Sequence, residues 1–277
     1  MPATAELCRN DIAIPARPDV LVKLSLLMAE DDVDQRAISA LVESDMALAS
    51  AVLKAVNSSH YGLAGRALSV HHAATYLGAR EIAAITFEMG LRAAFPPAPE
   101  LNLIWTRAGQ RGLVMGQLGQ ALGLDAWAAH SAGLFEECGK AVLFAHATDH
   151  YRAMLRATAC DSDLCALEQA GFGVRHDTLG AALCQSWGLA DATVACVRHH
   201  VDAQACVLLP EASAARTLLA LSVLAQSLLG MAPQAVDDVA AQIAPLMGWD
   251  TTLVLRAVRR IETQLESQLG QGGQRRH

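Results

Sequence analysis

Apolar residues recur along this chain every three to four positions, the spacing that gathers them on one face of an α-helix. In DMALASAVLKAVNSS, Asp45 stands where it can cap a helix, and Leu48, Val52, Ala55 and Val56 fall on one side of it. Near the other end, Asp250 or Thr251 opens a helix with the apolar stripe Leu253, Val254, Ala257, Val258, Ile261 and Leu265. Looser versions of the repeat predict helices at about 18–30, 34–44, 69–77, 79–94, 101–122, 127–146, 148–158, 162–171, 176–187, 190–200 and 213–230. No run alternates apolar and polar as a half-buried strand does, and no Asn-Gly hairpin turn occurs. The fold class expected is all-α.

Punctuation divides this helical series. FPPAPE at 95–100 carries three prolines, which remove backbone donors and bias their neighbours away from helix. It separates two expected lobes, about 14–95 and 100–207, behind an N-terminal segment 1–13. A second break over 201–211 sets off C-terminal helices within 208–269. The final GQGGQRRH offers little apolar surface against its ordering entropy, so a disordered tail is expected over 270–277.

Composition narrows the class. The 277 residues are 53% hydrophobic and 18% charged, with a mean hydropathy of +0.27. That apolar content is Ala and Leu broken by regular polar residues. Nothing approaches the ~18 continuous apolar residues of a spanning helix, so no membrane association is expected. The start, MPATAELCRND, has neither a basic stretch nor an apolar core of signal-peptide type, and a cytoplasmic location is inferred. The seven cysteines are odd in number and contain no CxxC, which argues against a disulfide framework or a zinc ribbon. A net charge of −7 argues against broad attraction to nucleic acid. Arg256, Arg259 and Arg260 form a small basic patch, read as a solvated helix face.

The ionisable residues supply the candidate chemistry. His71 and His72 follow Ser69, a candidate N-cap, and read as first-turn residues. His146 and His150 have the spacing of a zinc-binding HExxH pair but lack its Glu, and Thr148-Asp149 reads as a helix boundary. His176 begins one predicted helix and His199-His200 ends the next, so antiparallel packing brings the three near one another. Cys196 shares a helical face with His200. From the residues alone these fit either a metal cluster or two exposed imidazoles with a third bonded to a carbonyl. Glu136-Glu137 lies inside the apolar GLFEECGKAVLF. A buried carboxylate needs a partner, and Lys140 is the near candidate, with Arg107 and Arg111 of WTRAGQRG more distant ones. There is no Walker A loop, GxGxxG or GxSxG.

The order of segments resembles the HDOD family, the HD-related output domains of bacterial signalling proteins. IPARPDVLVKLSLLM, ALVESDMALASAVLKAVNSSHYGL and LSVHHAATYLGAREI are similar to the family's N-terminal half in type, order and spacing, with Met46 where the family usually has Pro. The second half resembles it through Trp105, GLFEECGKAVLF, Glu168, Gly173, His176, Gly180, Trp187 and His199-His200. The resemblance covers about residues 14–201. It implies a two-lobed helical domain whose second lobe is related to HD metal-dependent phosphohydrolases.

Enzymes of that wider superfamily hold metal with a first His, a His-Asp pair, later histidines and a final Asp. Carried onto this chain, Arg107 falls at the first His and Glu136-Glu137 at the His-Asp pair, while ALSVLAQS offers no final Asp. Only His176, His199 and His200 match ligand positions. Arginine stays charged, only donates and cannot coordinate a divalent ion. Arg107 is therefore expected to meet Glu136 or Glu137 in a degenerate metal site, a protein cation standing in for an ion. No catalytic residue, metal or cofactor is expected. The function expected is a non-catalytic regulatory module that binds a signalling protein or a small ligand, with the site sought in the groove between the two lobes near FPPAPE. The alternative is a metal-dependent phosphohydrolase acting on a nucleotide, with His176, His199 and His200 holding metal beside Glu136 or Glu137. Nucleic-acid binding through the Arg256–Arg260 patch is a third, less favoured reading.

Overall fold

The computed structural model describes residues 12–30, 32–58, 65–207, 209–210, 214–232 and 234–273, with side chains as far as Glu266. Helix is the regular structure throughout, and no strand occurs among the described residues. The chain divides into two compact units. One comprises 16–95 with the chain end from Gln264; the other comprises 96–263 with the segment up to Pro15.

The first unit is built from α1 (Asp19–Met28), α2 (Gln35–Glu43), α3 (Met46–Val56), α4 (Val70–Leu77) and α5 (Ala79–Ala93). Side-chain caps set where three of them start. Asp34 accepts from Arg36 N, Asp45 from Ala47 N and Leu48 N, and Ser69 from His72 N, which satisfies amides that lack a partner in the first turn. Glu43 Oε1 adds a cap from outside α4, accepting from the amides of Val70 and His71. Asn57 ends α3 and pins the return of the chain: its amide donates to Ala67 O, and its carbonyl oxygen accepts from Gly65 N and Ala67 N. The Asn-Ser sequence that ends this helix therefore has a backbone-organising role. Leu21, Leu24, Ile38, Val42, Val52, Val56, Ile82 and Leu91 form the core.

The second unit contains α6 (Pro99–Ala121), α7 (Ala126–Phe135), α8 (Cys138–His146), α9 (Thr148–Ala157), α10 (Asp161–Phe172), α11 (His176–Ser186), α12 (Asp191–Cys206), α13 (Arg216–Leu228), α14 (Val236–Met247) and α15 (Thr251–Gly273). Proline opens α6 in its first turn, where no amide donor is needed. Small residues bring α6 and α7 together. A Cβ on Gly133 would lie 2.9 Å from Arg111 O, and one on Gly119 3.1 Å from the Ala126 backbone. The approach of α8 to α11 is tighter still, because a Cβ on Gly139 would lie 1.9 Å from His176 O. Trp187, 2% exposed, locks the N-terminal segment to this unit by donating its indole N–H to Pro15 O.

Four expectations change. The segment 127–146 is two helices, broken at Glu136-Glu137, and that break turns both carboxylates inward. Helix α12 runs on to Cys206 and ends at Val207, whose φ of 52° is left-handed. Helix α14 was not foreseen because Pro245 interrupts its pattern. That proline sits in the last turn, just before Gly248 ends the helix. In α15 the cap is Asp250 and the stripe is buried at Val254, Ala257, Val258 and Ile261, but Leu253 is exposed. Part of the C-terminal helical segment groups with the second lobe, since α13 packs on α12, α6 and α7. Helix α15 runs to Gly273, and the remaining 274–277 of the expected tail lie outside the described residues.

Candidate functional site

The second unit buries an unusual number of ionisable side chains. From the middle of α6, Arg111 enters the core at 1% exposure, facing the α7–α8 junction where Glu136 and Glu137 are 0% and 2% exposed. Arg111 Nη1 donates to Glu136 Oε2 at 2.7 Å. Its Nη2 donates to Glu137 Oε1 at 3.3 Å and to Gln226 Oε1 on α13 at 2.8 Å. Gln204 of α12 donates to the same Glu136 oxygen at 2.9 Å and to Ser222 Oγ at 2.9 Å. The Cys196 thiol approaches the other Glu136 oxygen at 3.9 Å.

A second cation continues the chain of charges. Lys140 Nζ lies 2.8 Å from Asp161 Oδ1, at the start of α10, and 3.4 Å from Glu137 Oε2. Burial opposes the charge on Arg111 and Lys140, but the neighbouring carboxylates outweigh it and hold both groups above their ordinary pKa. Burial likewise pushes the Asp161 carboxyl up, and the Lys140 ammonium beside it more than reverses this, leaving it well below the usual range. Three carboxylates thus share two fixed cations. Removing one member of such a buried set strands its partners in a medium that solvates them poorly.

The imidazoles form a contiguous half. His176 opens α11, where its backbone N–H donates to Glu168 Oε2 at 2.7 Å and its Nδ1 lies 2.8 Å from the same oxygen. Tyr151 O–H donates to Glu168 Oε1 at 2.6 Å. His200 Nδ1 lies 2.7 Å from Val197 O, so it carries the proton there and leaves Nε2 as the bare nitrogen. Burial pulls His200 down to about 4, so it is neutral near pH 7. The two rings are 5.7 Å apart, both fully buried, and neither Nε2 has a hydrogen-bond partner. Ligand atoms of Asp161, His176 and His200 lie within 4.8 Å of one another. Cys165, Glu168 and His176 form another such grouping, in which burial and the Glu168 carboxylate push the Cys165 thiol up to about 12.

Several sequence-derived assignments are revised by this geometry. The cation on the two glutamates is Arg111, whereas Arg107, one helical turn earlier, is exposed. A displacement of four residues keeps the same side of α6, so the carry-over found the right face and the wrong depth. Glu136, Glu137, His176 and His200 do converge in the buried cluster. His199 is exposed and takes no part in the metal-capable groupings. Asp161, Gln204 and Gln226 were missed. Nothing local in the sequence marks Asp161 or either glutamine as a member of a buried cluster. His146 and His150 lie at a helix boundary against the edge of the Phe172 ring. Arg259 of the basic patch pairs with Asp237.

The resemblance to HD metal-dependent phosphohydrolases implies a metal ion here, and the side chains permit a test of fit. At Glu136 and Glu137 they do not fit: a guanidinium occupies the space between the carboxylates, and a second protein cation holds Asp161. The histidine half retains donors, with each Nδ1 fixed by a carboxylate or a carbonyl as ligating imidazoles usually are.

Comparison with known proteins bears on the fold and the family. A bacterial protein of uncharacterised role from Treponema pallidum (strain Nichols) is 28% identical over 192 residues, or 68% of this chain, and the match spans only 37% of that longer relative. A solved structure from Marinobacter aquaeolei VT8, described as a proposed signal transduction protein, is similar with a TM-score of 0.71 at 24% identity, covering 95% of this chain and 60% of that one. A proposed phosphohydrolase from Shewanella amazonensis SB2B is similar with a TM-score of 0.66 at 19% identity, covering 92% and 93%. An HDOD domain protein of unknown function from Geobacter sulfurreducens is similar with a TM-score of 0.65 at 18% identity, covering 97% of both chains. At these identities the structures speak for the fold alone. The family model for the HDOD domain matches residues 14–203, and this chain belongs to the HDOD family.

Proposed function

We propose that the protein is a non-catalytic regulatory module of a bacterial cytoplasm, acting by binding a signalling protein or a small ligand. One observation carries this reading: Arg111 spans Glu136 and Glu137 inside the core. Metal-assisted phosphoryl chemistry needs an open coordination position, an activated water and a clamp for the phosphate. Here the acidic half is closed by a group that repels divalent ions and cannot be deprotonated.

A metal-dependent phosphohydrolase is the second reading, favoured by the two buried and unbonded Nε2 atoms near Asp161. A metal bound there would supply a polarised water, and His176, His200 and Asp161 are the residues that would hold it. Lys140, 2.8 Å from Asp161, opposes that arrangement. Metal quantification of untagged protein, paired with assays of phosphomonoester and phosphodiester hydrolysis in added Mn²⁺, Fe²⁺ and Zn²⁺, separates the two. The regulatory reading expects far less than one ion per chain and no turnover above buffer. A stoichiometric ion, lost together with hydrolysis in His176→Ala and His200→Ala, would replace it with the enzyme.

A further inference from the structure

A cavity of about 330 Å³ opens in the second unit, walled by the first two turns of α6, by α9 and by the turn into α10. Its size is at the lower end for sites that hold small molecules. It lies in the lobe that begins at FPPAPE, with Pro99 and Glu100 at its rim. Lys140, buried at 3% exposure, lies in its lining with Asp161 and Glu137.

The charges around this cavity are unequal. Four cations line it, Arg107, Lys140, Arg152 and Arg156, against the carboxylates of Glu100, Glu137 and Asp161. Glu137 is also bound to Arg111 outside the lining. Arg152 is committed, since it pairs with Glu100 at 2.5 Å and with Asp149 at 2.6 Å. Arg107 and Arg156 are exposed, and neither has a carboxylate within the 4.0 Å of an ion pair among the described residues. Two exposed guanidinia outside any ion pair, of which Arg156 still acts on the charge of Glu100, and a buried ammonium therefore share one concave surface in a chain that is acidic overall. Apart from Thr158 the rest of the wall is apolar. Leu103 is 57% exposed beside the half-buried Leu155, and both line the cavity.

This combination selects an amphipathic anion. Guanidinium forks match phosphate oxygens, and a phosphate monoester carries close to two charges near pH 7, enough to engage two arginines at once. An apolar or aromatic body would cover Leu103 and Leu155. We propose that the pocket binds a small organic phosphate, with its phosphate at Arg107 and Arg156 and its body on the leucine wall. The proposal deepens the regulatory reading, on which it rests, by naming the chemistry of the ligand.

Isothermal titration calorimetry of the full chain with phenyl phosphate, inorganic phosphate and benzoate tests it. Phenyl phosphate is expected to bind more tightly than either fragment. Arg107→Gln and Arg156→Gln should each weaken it by ~10-fold or more, the scale of one lost charge-assisted hydrogen bond, without moving the thermal midpoint. Leu103→Ser should weaken phenyl phosphate and leave inorganic phosphate unchanged. Failure of phenyl phosphate to bind at millimolar concentration, or equal binding in both arginine variants, overturns the pocket and leaves the role of Arg111 intact. Binding followed by release of phosphate would support the pocket and remove the non-catalytic reading.

Discussion

The acidic and imidazole halves of the buried cluster share the same core but are completed in opposite ways. Glu136 is saturated by Arg111, Gln204 and Cys196, and Glu137 is held between Arg111 and Lys140. In the other half, Glu168 and Val197 fix the inner nitrogens of His176 and His200, and the outer nitrogens have no hydrogen-bond partner among the described residues. One half resembles an ion-pair core, the other a ligand set. The difference teaches that one buried cluster can carry both arrangements: an internal cation closes one side, while on the other the inner nitrogens of the imidazoles are held in the manner of metal ligands.

The largest expected effect tests the acidic half. Arg111→Met leaves two buried carboxylates facing each other and should cost about 3–5 kcal/mol, read by urea unfolding at pH 7. Adding Glu136→Gln and Glu137→Gln should recover a substantial part. A cost below about 1 kcal/mol for Arg111→Met alone would mean the guanidinium does not hold the pair. The imidazole half should respond to acid. The folded-state pKa of His200, about 4, lies below the ordinary 6.5, so the unfolded chain takes up the proton first as pH falls. Its contribution is complete above pH 6.5 and is lost toward pH 4, about 3 kcal/mol in all. His200→Asn keeps a donor for Val197 O and should flatten stability over that range; an unchanged slope would assign the acid sensitivity elsewhere.

Helix approach comes next in size. Gly139→Ala forces α8 away from the first turn of α11, which carries His176, and is expected to cost about 1–3 kcal/mol in thermal or urea unfolding. A neutral result would mean the two helices separate easily. The smallest effect is at His199, exposed on the same helix as His200. His199→Ala should change stability by no more than about 0.5 kcal/mol, and a larger loss would place that residue in the cluster after all.

Most of the fold was legible because helices announce themselves by period and cap. Asp45, Ser69 and Asp250 each cap the helix expected of them. The break at Glu136-Glu137 was not legible, since no proline or turn dipeptide marks it and only the buried cations reward turning both carboxylates inward. Pro245 concealed α14 for the converse reason: a helix-breaking residue is tolerated in a final turn. Within the site, the need of the two glutamates for a cation was readable from the cost of burying charge. Which arginine met it was not, because Arg107 and Arg111 lie on one face and only packing depth separates them. Asp161, Gln204 and Gln226 reach the cluster from α10, α12 and α13, and no local spacing encodes that convergence.

What lies between Glu136 and Glu137 decides whether a side chain or an ion holds the two carboxylates. Anomalous diffraction from crystals soaked in Mn²⁺ would locate it without reference to activity. The Arg111 guanidinium is expected in hydrogen-bond contact with both carboxylates, with no manganese peak between them. A manganese peak on the two glutamates, with Arg111 turned aside, would contradict the replacement of an ion by a side chain.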